Sequence, residues 1–243
     1  MMSLARRPSR LALTAMRSRM FRRASAIDIF ELRIDMSSTY KEFDTLARVA
    51  EALYEARVSA CRLAPYVVMT DPDRMPDIVH VAENMPEHSA LIYRHFGAPE
   101  REFIARKLRQ ICFDKNVQLL IGSDEDLANN CGADGIHLPE RDLDTAHVLR
   151  IRYPDWIISG ATHSELAIAK ATKLGVDAGF VSPVFESDSP SAGKALGIDR
   201  FAAMAAQAKI PIFALGGINP LNANSLEGSG AAGIAGVSGF IHD

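Results

Sequence analysis

The chain has 243 residues, enough for one large domain, and its 48% hydrophobic content supplies a substantial core. A formal net charge of −3 argues against a nucleic-acid partner, and no run of about 18 apolar residues is present to span a membrane. Cys61, Cys112 and Cys131 stand apart without metal-ligand spacing, which fits reduced thiols in a cytoplasmic protein.

Residues 1–24 carry seven arginines and no acidic residue, the composition of a transit peptide or a basic arm. They read as an extension, so residues 1–39 are set apart from a domain at 40–243. Phe43, Leu46, Val49, Ala50 and Leu53 then fall at helical spacing within 40–62, which predicts an amphipathic helix ahead of the first strand. From there strand and helix signals alternate. Strands are expected at 64–71, 89–96, 116–124, 134–142, 156–164, 177–185, 210–215 and 232–240. Helices are expected from Asp77, around 100–114, from Asp124 to Ala128, and at 143–152, 164–174 and 198–208.

The seventh strand, IPIFAL, has no polar face, as expected of a strand buried on both sides of a parallel sheet. Gly216 and Gly217 follow it directly. Two such glycines let the backbone approach a ligand and offer N–H groups to an anion, Gly216 being the one expected to need a glycine-only backbone angle. Asn219 reads as an N-cap, with Pro220 at the first position of a helix. Short stretches GADGI (132–136), GVDAGF (175–180) and GAAGI (230–234) echo one another before strands four, six and eight. No GxGxxG follows strand one. These features favour a single-domain (β/α)8 TIM barrel, with an extra N-terminal helix standing in for a final helix that the sequence does not show.

In such a barrel the chemistry sits on strand C-termini and the loops after them. Thr70, Asp71, Arg94, His95, Ser123, Asp124, the segment His137–Asp142, Thr162, His163, the segment Ser182–Lys194, Gly216, Gly217 and Ser238 pass that filter. His80, His88, His147 and His242 do not. Arg94 suits phosphate, or alternatively a structural carboxylate pair. His163 could shuttle a proton or merely start a helix. His137 stays unassigned. A carboxylate in the Glu140–Asp142 loop could hold Mg2+ on a diphosphate, or simply be solvated.

YVVMTDPDR, GADGIHLPERDL, SGATHS, DAGFVSPVF with a Ser-rich loop and ALG, IPIFALGGI and GAAGIAGVS occur in that order. Together, over about residues 64–240, they resemble the thiamine-phosphate synthase and thiazole tautomerase superfamily. The resemblance implies a barrel that handles a phosphorylated thiazole. A synthase joins it to 4-amino-2-methyl-5-pyrimidylmethyl diphosphate with Mg2+, whereas a tautomerase only moves a proton on the thiazole. A barrel that binds thiazole phosphate without catalysis is a third reading. By position, Arg94 matches the family's strand-two arginine, Asp142 a metal-binding aspartate and Thr162 a residue on the pyrimidine. Ser187 and Ser189 match hydroxyls on thiazole phosphate, while Gly216, Gly217, Val237 and Ser238 match its phosphate cradle. His163 falls where tautomerase-like members carry an acid/base histidine. The implied partners are the two small phosphorylated substrates, with neither nucleic acid nor membrane, and with self-association left open. Three family positions differ: the strand-three Asn–Asp pair is Gly122–Ser123, the strand-two lysine is Phe96, and the loop lysine is Pro190, with Lys194 the nearest substitute.

Overall fold

The computed structural model describes residues 38–56, 61–187, 189 and 193–237. The basic segment assigned to residues 1–24, and Ser238 at the far end, lie outside them. Helix α1 (Ser38–Glu55) opens the domain. Strands β1 (Tyr66–Met69), β2 (Ser89–Tyr93), β3 (Gln118–Gly122), β4 (Gly135–Leu138), β5 (Ile157–Ala161), β6 (Ala178–Val181), β7 (Ile212–Leu215) and β8 (Ile234–Gly236) pair in sequence order into a closed barrel. All neighbours are parallel, and β8 returns to β1 in the register Tyr66↔Ile234, Val67↔Ala235. Between them run helices α2 (Ile78–Asn84), α3 (Arg101–Asp114), α4 (Glu125–Cys131), α5 (Ala146–Arg152), α6 (Glu165–Lys173) and α7 (Ile198–Gln207). The (β/α)8 barrel expected from the alternating pattern is the observed fold.

Most strands are buried on both faces, which is why they read as apolar runs rather than alternating ones. One face fills the barrel with Val67, Met69, Ala90, Ile92, Leu120, Ala178, Phe180, Phe213 and Ala235, the two phenylalanine rings meeting at 5.1 Å. The other face packs against the helices. Leu46, Val49, Ala50 and Leu53 of α1 join that outer core, where α1 packs beside β1 and the turn at Ala223–Leu226.

Helix starts follow the sequence. The side chains of Asp77, Asp124 and Ser164 accept the N–H groups of His80, Leu127 and Ala167. The segment after β7 does not. Asn219 Oδ1 accepts from Leu221 and Asn222 N–H, as a cap would, yet only a four-residue 3-10 turn (Ala223–Leu226) follows. The expected Pro220-initiated helix is therefore replaced by a tight turn. Six residues after β4, Glu140–Thr145, also form a 3-10 turn, where the loop of strand four and the start of the 143–152 helix were expected.

The internal echo has a structural cause. Asp134 and Asp177, in the first two repeats, accept the N–H groups of Leu119 and Ile158 at the start of neighbouring strands. Each also pairs with an arginine from an outer helix, Arg109 and Arg150. The glycines of the echo allow strands to touch: a Cβ on Gly135 would lie 1.9 Å from Ile157 O, and one on Gly233 2.3 Å from Pro65 O. The repeats thus clamp the strand N-termini, the end of the barrel that serves stability rather than chemistry.

Candidate active site

At the opposite end, β7 stops at Leu215 and the chain turns through Gly216 (φ +92°) and Gly217 (φ +69°). Both angles lie in the left-handed region that favours glycine. The glycine-only backbone angle expected at Gly216 is observed, and Gly217 has one too, with tighter packing around it. A Cβ on Gly217 would meet Glu186 O at 2.2 Å and Phe185 O at 2.7 Å, whereas one on Gly216 would meet Pro183 at 2.8 Å. The β6 loop lies directly on this turn, with Val184 N–H on Leu215 O (3.0 Å) and Phe185 N–H on Gly216 O (3.1 Å). Asn222 Nδ2 holds Gly217 O at 2.8 Å. Gly216 N–H faces Ala235 O in the Leu215↔Ala235 pairing of β7 with β8, and among the described residues no acceptor meets the N–H of Gly217. An amide donor without a partner on a left-handed glycine turn at a barrel mouth can cradle an anion.

Other cradle candidates are partly placed. Half-buried Val237 directly follows β8. Ser187 Oγ accepts Ser189 N–H at 3.3 Å, so these two hydroxyl residues form a local turn within the β6 loop. Lys194 is exposed further along the same loop. Ser238, assigned to the cradle from sequence, lies outside the described residues.

Within the mouth, Arg94 follows β2 with its N–H on Thr70 Oγ1 (2.7 Å) and its Nε on Thr70 O (3.0 Å). Among the described residues no carboxylate is within ion-pair distance of it. Asp71, whose field reaches Arg94, is itself bound to Arg74 at 2.9 Å. Burial disfavours charge on Arg94, so an anion entering the mouth meets a positioned, poorly solvated cation.

His137, unassigned from sequence, points into the barrel. Its Nδ1 lies 3.0 Å from Ser159 Oγ, and its ring meets Phe180 edge-on at 5.3 Å. Burial, with Arg94 and His163 adding repulsion, pushes its pKa down to about 3, so it is a neutral imidazole at ordinary pH. Strand parity decides this, because in β4 alternate residues face the barrel interior and the helices. His163 is exposed at the start of α6, its backbone N–H held by Glu140 Oε2 at 2.8 Å. The structure places Thr162 elsewhere than expected. It is fully buried, its hydroxyl donates to Phe180 O (3.4 Å), and it packs where a Cβ on Gly179 would stand. Gly160, two residues earlier, faces Leu143 of the helix layer, so Thr162 shares the outward parity and cannot reach a ligand in the mouth without rearrangement.

The remaining quadrant differs most from a charge-binding site. Asp124, besides capping α4, is ion-paired to Arg101, which also donates to Gly122 O at 3.1 Å. Asp142 sits in the 3-10 turn, half-exposed, with only Arg141 nearby at 3.7 Å. No group of three or more His, Cys, Asp or Glu suited to a metal occurs among the described residues. Mg2+ commonly takes one or two carboxylates and completes its shell with substrate oxygens and water. Asp142, whose carboxylate accepts no hydrogen bond from the described residues, fits such a one-carboxylate site, and Asp124 does not.

A family model described as thiamine monophosphate synthase matches residues 66–240. The chain belongs to that family. It is 34% identical over 150 residues to a thiamine-phosphate synthase of Ruminiclostridium cellulolyticum, covering 61% of this chain and 71% of that protein. To the thiamine-phosphate synthase of Prochlorococcus marinus subsp. pastoris it is 33% identical over 138 residues, 57% of this chain and 39% of the relative. The solved thiamine phosphate pyrophosphorylase from Pyrococcus furiosus superposes with a TM-score of 0.64 at 28% identity, over 72% of this chain and 86% of that one. The matched stretch spans 66%, 39% and 38% of the length of relatives from Geobacter sulfurreducens, Prochlorococcus marinus and Symbiobacterium thermophilum. Among the described residues no helix is long and apolar enough to cross a membrane.

Proposed function

We propose that this chain is a cytoplasmic transferase of the thiamine-phosphate synthase type, coupling 4-amino-2-methyl-5-pyrimidylmethyl diphosphate with a phosphorylated thiazole. The observation that carries the reading is the pair of left-handed glycines, the Gly217 amide without an acceptor among the described residues, in the same barrel mouth as Arg94. The Gly216–Gly217 turn, through the Gly217 N–H, holds the thiazole phosphate, with Ser187, Ser189, Val237 and Lys194 around it. The bond from the pyrimidylmethyl carbon to the diphosphate oxygen breaks, and its electron pair leaves with pyrophosphate. Thiazole nitrogen supplies the pair for the new C–N bond, so no proton need be moved. Arg94 stabilises the charge that grows on the departing oxygen. Asp142 would hold a Mg2+ ion, which when bound supplies further charge neutralisation for a diphosphate. His137, neutral and bonded to Ser159, lines the mouth without adding charge.

The test is direct coupling with purified protein, following thiamine phosphate and pyrophosphate as products. Arg94→Met should lower kcat/KM about 10²–10³-fold, the usual cost of losing one positioned charge-stabilising donor. Absence of coupling by the wild type, or indifference to Arg94→Met, refutes the reading.

A further inference from the structure

Phe96 is a large apolar side chain left 60% exposed immediately after β2, in the loop that carries Arg94. A single exposed phenylalanine has no meaning by itself. This one is fixed from several directions. Its N–H closes on Arg94 O at 2.6 Å, a tight turn that sets where the side chain leaves the strand. Its ring tip lies over Gly122: a Cβ at that glycine would be 3.2 Å from Phe96 Cζ and 3.2 Å from Arg94 Cγ. Any larger residue at 122 would push the ring or the arginine aside, so Gly122 and Phe96 fit as a pair.

Arg101 supports the ring from α3, its guanidinium 5.3 Å from the Phe96 centroid and 5.9 Å from that of Tyr93. The arginine is itself immobilised by Asp124 and Gly122 O. A cation bound at a phenyl ring and held by two further contacts restricts the ring's motion, while Phe96 stays 60% exposed beside Arg94 and Gly122. Ser123 is next to this surface, exposed and held at φ +55° with its N–H on His137 O at 3.0 Å. An apolar ring face with a hydroxyl beside it suits a flat heteroaromatic ring with polar edge groups, not a phosphate.

We propose that Phe96, seated on Gly122 and backed by Arg101, is the stacking surface for the ring of the pyrimidine substrate. This rests on the coupling reading above, and makes ring recognition at this quadrant depend on stacking. Arg94, one turn of the loop away, is left to meet the charged end of the same molecule.

The test measures binding of the uncharged 4-amino-5-hydroxymethyl-2-methylpyrimidine and, separately, of thiazole phosphate, by titration calorimetry on the full chain. Phe96→Leu, which keeps an apolar side chain but cannot stack, should weaken the pyrimidine alcohol roughly tenfold, within the range found for removing an aromatic ring from beneath a base. Phe96→Tyr should retain wild-type affinity. Phe96→Lys should lose the alcohol as Phe96→Leu does. Thiazole phosphate affinity should be the same in all four proteins. Equal binding of the alcohol by wild type and Phe96→Leu overturns the stacking surface, as does wild type that binds thiazole phosphate but no pyrimidine. Wild type that binds the alcohol in a Phe96-dependent way but not thiazole phosphate leaves the stacking surface standing and removes the cradle instead.

Discussion

Gly217→Ala and Gly132→Ala form a matched pair that isolates the contribution of the β6 loop to the cradle. The two glycines have nearly the same backbone, φ +69° and φ +68°. Gly132 ends α4 with nothing within 4 Å of an added Cβ, whereas at Gly217 that atom would be 2.2 Å from Glu186 O. An alanine held left-handed costs about 1–2 kcal/mol, and the restriction of the unfolded chain is the same at both sites. Those contributions cancel in the comparison. What remains is a carbonyl that must retreat by about 1 Å to reach the 3.0–3.4 Å of tight real contacts. Such a movement strains the bonds from Val184 and Phe185 to Leu215 and Gly216, each worth about 0.5–1.5 kcal/mol. Gly217→Ala should therefore cost about 1–3 kcal/mol more than Gly132→Ala in urea unfolding. It should also weaken thiazole phosphate binding by at least tenfold, while Gly132→Ala leaves binding unchanged. Equal stability losses with intact binding in both variants would refute the packing of the β6 loop on the glycine turn.

Two further outcomes follow from the mouth. His137 has a native pKa near 3, while an unfolded histidine titrates near 6.5. Its contribution to stability is thus complete above about pH 6.5, and falls by up to about 1.4 kcal/mol per pH unit as pH drops toward 3. His137→Gln should flatten that acid limb in urea melts at pH 4–7, and an unchanged slope would show that the imidazole is not buried neutral. At the charged edge, Asp142→Ala should abolish Mg2+-dependent coupling, whereas His163→Ala should change the rate little, since the C–N bond forms without proton transfer. The reverse ranking, with His163→Ala costing about 10²–10⁴, would favour proton shuttling on the thiazole over coupling.

Much of the site was legible because it depends on backbone chemistry close in sequence. Gly216 and Gly217 announce themselves by following an unbroken apolar strand, and Arg94 by ending one. The direction of side chains was harder to read. His137, Thr162 and Phe96 all occupy strand ends, where a single residue of register sends a side chain into the barrel, into the helix layer or to the rim. Asp124 passed the strand-end filter as a site candidate, but α3 brings Arg101, 23 residues away in the chain, against it.

The sequence by itself determined the alternation of eight buried strands with helices, the helix caps at Asp77, Asp124 and Ser164, and the glycine turn after β7. Each is a local consequence of hydrophobic period, side-chain capping or backbone freedom. The tertiary structure alone decided that Asp134 and Asp177 clamp the stable end of the barrel, and that Gly217 is more tightly packed than Gly216. It also set the Phe96–Gly122–Arg101 contact at the mouth. These depend on which strand lies beside which and on how closely their loops approach, and closure of the barrel fixes both by joining residues far apart in the chain.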